Sequence, residues 1–255
     1  MRLRNCTGPA SAVCRKRALP ARQTRFALFV IAMVMTAPTY ADIVNGPNKL
    51  KAPITRPLAP QYRIEADGSV VLRVCFNSSC ARTKMLTFSA AEMEKVKEQL
   101  TFCPGHKLYD RLQRVRIAVW QMEALAEEYV PILANDRELN DREFGVYGRM
   151  DCVDNASNTA NYLKILIDFG HLPLWRVEAP SMRKPLDLNA VHWSAVLKDK
   201  VTGEKWAVDS WYRPNGHLPF VLPLNVWKDE TQGWLPPYDK LNPYPRASNE
   251  FCRSK

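Results

Sequence analysis

Alternation of apolar and polar residues predicts three short strands early in the chain. The strands are Tyr62–Glu65, Ser69–Phe76 and Ala81–Phe88. Asp67-Gly68, between the first two strands, is a common hairpin-turn pair. Ser89-Ala-Ala-Glu92 has the form of a capping box, which predicts a helix that runs to about Leu100. We therefore expect a β-meander followed by a helix over residues 42–104.

Apolar residues spaced three and four positions apart predict two further helices. The first runs from about Lys107 to near Pro131. Its apolar stripe consists of Leu108, Leu112, Val115, Val119 and Met122. The second begins at Cys152, with Asp151 as its N-cap, and ends just before Gly170. One face of this helix is apolar and is expected to pack inward, which places Cys152 at the head of a buried stripe.

The C-terminal half contains three more predicted strands. They are Leu174–Val177, Val191–Leu197 and Lys205–Trp211. Thr202-Gly203 lies in the turn between the last two strands. Because side chains alternate along a strand, a turn of two or four residues places His192 and Asp209 on one face, either opposed or diagonal. The elements together predict an α+β fold, with the helix of Cys152 packed on an antiparallel sheet and a Pro-rich tail over residues 234–246.

The first 41 residues are typical of a secretory signal. An Arg-rich segment precedes the apolar run Phe26–Met35, and Thr36–Ala41 supplies small residues for cleavage. The run is about ten residues long, whereas a spanning helix needs roughly 20. We therefore expect a cleaved signal rather than an uncleaved anchor, and an exported protein without a stable membrane anchor.

The charge of the mature chain argues against nucleic acid as a partner. The 255 residues carry a formal net charge of +10, with ordinary globular proportions of hydrophobic and charged residues. Seven of the 36 basic residues and none of the 26 acidic residues lie in residues 1–41, so removing this leader leaves 29 basic against 26 acidic residues. A balance so close to neutral is not expected to bind nucleic acid.

Five cysteines remain after the leader, at positions 75, 80, 103, 152 and 252. An odd number in an oxidising compartment favours two disulfides and one free thiol. Cys75 and Cys80 flank a turn-like stretch between two predicted strands, so they are one candidate pair. Cys103 and Cys252 are then the other, and Cys152 is left free. The alternative is that all five are reduced and buried. The sequence has no CxxC or HxxxH spacing, so a transition-metal site is not expected.

Cys152, His192 and Asp209 are the candidate catalytic residues. A thiol is ionised by a helix N-terminus, a nearby imidazolium and a carboxylate that orients the imidazole. The predicted helix supplies the first of these to Cys152, and His192 and Asp209 on consecutive strands supply the others. A single histidine on a strand is more often structural, so the prediction rests on the order of the three residues and on the unpaired thiol.

Three sequence runs resemble the transglutaminase-like superfamily: Asp151–Ala156, Val191–Leu197 and Trp206–Trp211. The D-C-x-D-x-A pattern of the first run is similar to that of the bacterial transglutaminase-like cysteine proteinases, which are periplasmic enzymes. The resemblance covers about residues 145–212 and implies a transglutaminase-like, papain-like core within residues 105–255. It implies Cys152 as nucleophile, His192 as general base and acid, and Asp209 as the residue that orients the imidazole.

Some relatives bind calcium through acidic residues that flank the nucleophile. Asp151 and Asp154 are present here, but Val153 stands where an acid often lies. We therefore expect no metal or other cofactor. The alternative is a calcium site, for which Asp151 and Asp154 are the candidate ligands.

Three functions fit these features. The first is an exported cysteine peptidase or amidase, a hydrolase acting on a protein or peptide substrate. The second is a non-catalytic module of the same fold that binds peptide or glycan through aromatic residues, namely Trp175, Trp193, Trp206, Trp211, Tyr212 and Trp227. The third is a transglutaminase or peptidoglycan cross-link editor, which differs from the first only in the group that accepts the acyl chain.

Overall fold

The structure is a computed structural model that describes residues 56–140, 146–183, 191–229 and 240–243. All of these belong to one compact unit, Leu50–Lys255. The predicted signal, most of the Pro-rich tail and Cys252 lie outside the described residues. Among the described helices, none has the length and apolar character needed to cross a membrane.

An antiparallel meander of three strands comes first, as predicted. The strands are β1 (Tyr62–Ile64), β2 (Val70–Phe76) and β3 (Arg82–Phe88), in the order β1-β2-β3. Gly68 in the first turn has a φ of 82°, a conformation that glycine adopts readily. Helix α1 (Ala90–Leu100) follows, and both halves of the predicted capping box at Ser89 and Glu92 are formed.

Two longer helices form the middle of the chain. Helix α2 (Leu108–Tyr129) buries its predicted stripe against the core, with Leu112, Val115, Val119 and Met122 fully enclosed. A short 3₁₀ helix (Pro131–Asn135) ends this segment. Helix α3 (Cys152–Asp168) begins at the predicted residue and is followed by Gly170 with a φ of 74°. The position of Cys152 at a helix N-terminus is therefore confirmed.

A second antiparallel sheet has the order β4-β5-β6-β7. Its strands are β4 (Trp175–Arg183), β5 (His192–Asp199), β6 (Lys205–Asp209) and β7 (Phe220–Pro223), and helix α4 (Leu224–Lys228) follows directly. Strand β4 is longer than predicted, because a shift of register between Glu178 and Ser181 accommodates Pro180 within the strand. Strand β7 and helix α4 were not predicted.

One hydrophobic cluster joins the two sheets through α2 and α3. It contains Val70 and Leu72 of β2 together with Leu163 of α3 and Leu197 of β5. The regions predicted as 42–104 and 105–255 therefore share a core in the described part of the chain. The arrangement is α+β, with two antiparallel sheets and four α-helices over the described residues.

Candidate active site

The N-terminus of α3 is closed by two acidic side chains. Oδ1 of Asp151 accepts hydrogen bonds from the backbone N–H groups of Val153 and Asp154, each 3.0 Å long. Oδ2 of Asp154 accepts in return from the backbone N–H of Asp151 at 3.2 Å. This reciprocal cap holds the first helical turn, so Cys152 is fixed at a position where the helix dipole favours a thiolate.

A turn of unusual conformation rests on the same two acids. The four consecutive residues from Asn77 to Cys80 have φ values of 71°, 64°, 53° and 55°, in the left-handed region that non-glycine residues rarely adopt. The backbone N–H of Ser79 donates to Oδ2 of Asp151 at 2.9 Å, and that of Cys80 donates to Oδ1 of Asp154 at 2.5 Å. These contacts tie the turn to the two acids of the D-C-x-D pattern, Asp151 and Asp154, which lie on either side of Cys152.

The predicted disulfide between Cys75 and Cys80 is present and closes this turn. Cys103 is also disulfide-bonded, and Cys252, its predicted partner, lies outside the described residues. Cys152 is the described cysteine that is not in a disulfide, and it is half-buried. The cysteine counting therefore identified both the bridge at the turn and the cysteine that remains outside a disulfide.

The bonding of Asp151 and Asp154 does not suit a calcium ion. Asp151 receives two N–H donors on Oδ1, and the N–H and hydroxyl of Ser79 on Oδ2, which uses all its lone-pair positions. Asp154 is fully buried beneath the cap. Cys75, Cys80 and Asp154 lie within 4.8 Å of one another, but the two sulfurs are joined in the disulfide. We therefore assign these carboxylates to holding the backbone.

His192 and Asp209 lie on the neighbouring strands β5 and β6. The backbone N–H of Asp199 donates to the carbonyl of Glu204 at 2.9 Å, which leaves a four-residue turn between the strands, as predicted. This register places His192 and Asp209 diagonally on one face, and Nε2 of His192 lies 2.7 Å from Oδ2 of Asp209. Both side chains are buried.

The start of α3 meets the start of β5. Sγ of Cys152 lies 3.7 Å from the carbonyl oxygen of Val191, the residue that precedes His192. Because Nε2 of His192 is engaged with Asp209, Nδ1 is the ring nitrogen available for proton exchange with a thiol or substrate. The structure thus brings the three predicted residues to one region from three separate elements.

Three aromatic rings surround the histidine. The ring centroid of His192 is 4.5 Å from that of Trp211, 5.4 Å from Tyr212 and 5.6 Å from Trp227. Nε1 of Trp227 also donates a hydrogen bond to Oδ2 of Asp209 at 2.7 Å. Sequence reasoning missed this contact, since Trp227 lies on the unpredicted helix α4 and nothing local marks it as a neighbour of Asp209.

Burial separates the six aromatic residues considered for ligand binding. Trp175, Trp206, Tyr212 and Trp227 are buried, so they present no open face to a ligand. Trp193 and Trp211 are half-buried. Trp193, like Cys152, packs against a small buried cluster of Cys75, Cys80 and Val153.

A buried polar network couples β6 to α3 beneath the site. Oγ of Ser210, the residue after Asp209, donates to Oδ1 of Asn155 at 3.0 Å and lies 2.9 Å from Oγ1 of Thr159. Nδ2 of Asn155 in turn donates to the carbonyl of Asp151 at 3.1 Å. These contacts fix the strand that carries Asp209 to the first turn of the helix that carries Cys152.

The chain matches no protein-family model, no curated protein and no solved structure. The resemblance to the bacterial transglutaminase-like cysteine proteinases therefore stays a prediction that rests on the three sequence runs.

Proposed function

We propose that the chain is an exported cysteine peptidase or amidase with a transglutaminase-like core, in which Cys152, His192 and Asp209 act as a catalytic triad. The observation that carries the proposal is the 2.7 Å contact between Nε2 of His192 and Oδ2 of Asp209, together with the Cys152 thiol at a helix N-terminus, 3.7 Å from the carbonyl of the residue before His192. A nucleophile, a base and a group that orients the base are the parts required for acyl transfer through a thioester.

The proposed reaction has two steps. The thiolate of Cys152 attacks the carbonyl carbon of an amide, and the C–N bond breaks as the imidazolium of His192 gives its proton to the leaving amine. A water molecule then gives a proton to His192 and attacks the thioester, which releases the carboxylic acid and restores the thiol. Asp209 keeps its charge throughout and stabilises the imidazolium.

The charge balance around the thiol supports this role. Burial penalises the charged form of Asp154 and raises its pKa well above the usual value, despite the backbone N–H groups that lower it. A raised pKa reduces the negative charge that Asp154 would otherwise place two residues from the Cys152 thiolate, which the helix N-terminus favours.

Export is supported by the leader and by disulfide chemistry. Disulfides persist in oxidising compartments and are rare in the cytosol, and the described chain holds the Cys75–Cys80 bridge. We place the enzyme in the periplasm or outside a bacterial cell, where its substrate would be a protein or peptide.

The first experiment measures the alkylation rate of Cys152 by iodoacetamide between pH 4 and 10, with peptide mapping by mass spectrometry. A triad predicts rapid alkylation well below the free-thiol pKa of about 8.5, and loss of that low-pH reactivity in His192→Ala. Cys152→Ala is the control for modification elsewhere. A thiol that is inert at low pH in the unmodified protein would contradict the proposal.

The second experiment identifies the acyl acceptor. Incubation with a peptide library, with and without a labelled primary amine, separates hydrolysis from transfer. Cleaved peptides without incorporated amine are the expected result, and incorporation of the amine would identify a transglutaminase instead.

A further inference from the structure

We propose that Trp227 is a positioning residue of this site, and that its indole N–H fixes the carboxylate of Asp209 and, through it, the imidazole of His192. This inference rests on the proposed function, since it assigns a role within the same triad. Trp227 lies outside residues 145–212, where the sequence resemblance is found, so the resemblance implies no role for it.

Two donors converge on one oxygen of Asp209. Oδ2 lies 2.7 Å from Nε2 of His192 and accepts from Nε1 of Trp227 at the same distance. A carboxylate with one hydrogen bond can turn about its χ2 torsion, which is broad for aspartate. A second donor from a different direction restricts that rotation, so the lone pair facing His192 keeps its direction.

An indole is well suited to this task. It only donates and carries no titratable proton at physiological pH, so it cannot take the histidine's place as a proton carrier. Trp227 is 1% exposed, and its ring packs with Ala207 and Leu222. The donor is therefore held by packing and does not exchange as a water molecule would.

Arg183 holds Trp227 in turn. Nη1 of Arg183 donates to the carbonyl oxygen of Trp227 at 2.9 Å, and the guanidinium carbon lies 4.9 Å from the centroid of the Trp227 ring. Arg183 is also the strand partner of His192 in the β4–β5 ladder. The same arginine thus contacts the backbone and ring of Trp227 from a strand directly beside the histidine, which fixes α4 relative to β5.

The variant Trp227→Phe tests the role, because it keeps an aromatic ring and removes the N–H. The matched control is Trp206→Phe, since Trp206 is also buried and its Nε1 makes no hydrogen bond within the described part of the chain. Both variants lose similar packing, but only Trp227→Phe loses a donor to Asp209.

The readout is the pH profile of Cys152 alkylation. We expect W227F to slow alkylation at pH 6 by about tenfold, the order of a lost hydrogen bond to a charged group, and to move the onset of reactivity toward that of a free thiol. W206F should keep the wild-type profile. If W227F follows wild type, or if its onset moves to lower pH, the positioning role is wrong.

A second variant covers the case in which W227F does not fold. Replacing Trp227 by β-(3-benzothienyl)alanine through an unnatural amino acid keeps the ring shape and exchanges only the N–H for sulfur. It should show the same slowing, with a melting temperature close to wild type, and an unchanged profile would overturn the inference. Failure of the proposed function has a different signature, because wild-type Cys152 would then be inert at low pH before any substitution at position 227.

Discussion

The backbone N–H of Cys80 donates a hydrogen bond to the side chain of Asp154, 2.5 Å away. This contact joins the disulfide-closed turn after β2 to the first turn of α3, across 74 residues of sequence. Asp154 is fully buried, and it also accepts from the N–H of Asp151. The surroundings of Cys152 are therefore built jointly by the first sheet and helix α3.

Replacing Asp154 by alanine should lower the free energy of unfolding by about 3 kcal/mol, because it leaves buried N–H groups without an acceptor. Urea unfolding followed by fluorescence measures this. Asp168→Ala is the matched control, since Asp168 is an exposed residue of the same helix. Asp168→Ala should cost less than about 1 kcal/mol. Equal losses in the two variants would contradict the buried role of Asp154.

The Cys75–Cys80 disulfide should stabilise both the fold and the site. Its six-residue loop is short, so the chain-entropy contribution is about 2 kcal/mol. In the double variant Cys75→Ala/Cys80→Ala we expect a lower urea midpoint and slower alkylation of Cys152 below pH 7, because the left-handed turn no longer holds the acids that cap α3. The double variant leaves the bridge of Cys103 intact, which treatment with a reductant would not.

Ser78→Gly is the complementary variant for the same turn. Ser78 has a φ of 64°, which glycine adopts without the steric cost that serine bears. With the disulfide in place, we expect S78G to leave the urea midpoint unchanged or raise it slightly. A clear loss of stability in S78G would show that the left-handed backbone conformation at Ser78 imposes no steric cost on the folded state.

Local sequence signals predicted most of the elements that carry Cys152, His192 and Asp209. The capping residues Asp151 and Ser89 identified two helix starts, and Thr202-Gly203 marked the turn whose even length places His192 and Asp209 on one face. These features depend on residues close together in sequence. Hydrogen bonding and side-chain alternation within a few positions are enough to determine them.

Features set by distant contacts were not predictable. The segment Asn77–Cys80 has no glycine, and its left-handed conformation depends on the side chains of Asp151 and Asp154, more than 70 positions away. Trp227 likewise reaches Asp209 from a five-residue helix, too short to give a periodic pattern. Both require knowledge of which elements pack together, which local propensity does not contain.

The buried ion pair between Arg111 and Asp199 should matter for stability but not for the site. Nη1 of Arg111 lies 2.6 Å from Oδ1 of Asp199, with both side chains almost fully enclosed. Arg111→Met leaves a buried carboxylate without its cation, which typically costs about 4 kcal/mol. Asp199 ends the strand that His192 begins, roughly 23 Å along β5. Cys152 alkylation should therefore be unchanged.

The control for Arg111→Met is a surface pair on the same sheet. Lys205 lies 3.4 Å from Glu178, with the lysine side chain 48% exposed, and Lys205→Ala should change the free energy of unfolding by less than about 1 kcal/mol. If Arg111→Met costs no more than Lys205→Ala, the ion pair does not stabilise the core. Slower alkylation of Cys152 in folded Arg111→Met would show that the two regions are coupled.

Asp136 should make the free energy of unfolding depend on pH between about pH 4 and about pH 8. Burial, its dominant influence, raises the pKa of Asp136 to about 8. Oδ1 accepts the N–H of Met150 at 2.7 Å, while Oδ2 is buried and has no partner among the described residues. The folded state therefore binds a proton that the unfolded state releases above its ordinary pKa of 3.8. The free energy of unfolding should fall as pH rises from about 4 to about 8, then level off.

Asp136→Asn removes this titration and keeps an oxygen that can accept from Met150. Urea midpoints are measured from pH 5 to pH 9. The midpoint of Asp136→Asn minus that of wild type should increase up to about pH 8 and stay constant above it. Asp168→Asn is the control, because the hydrogen bonds from Lys164 and Tyr62 outweigh burial and bring the pKa of Asp168 below its usual value. Its stability difference from wild type should therefore be flat over this range. Parallel curves for wild type and Asp136→Asn would mean that Asp136 is ionised in the folded protein, and that a charged carboxylate accepts the N–H of Met150, two residues before Cys152.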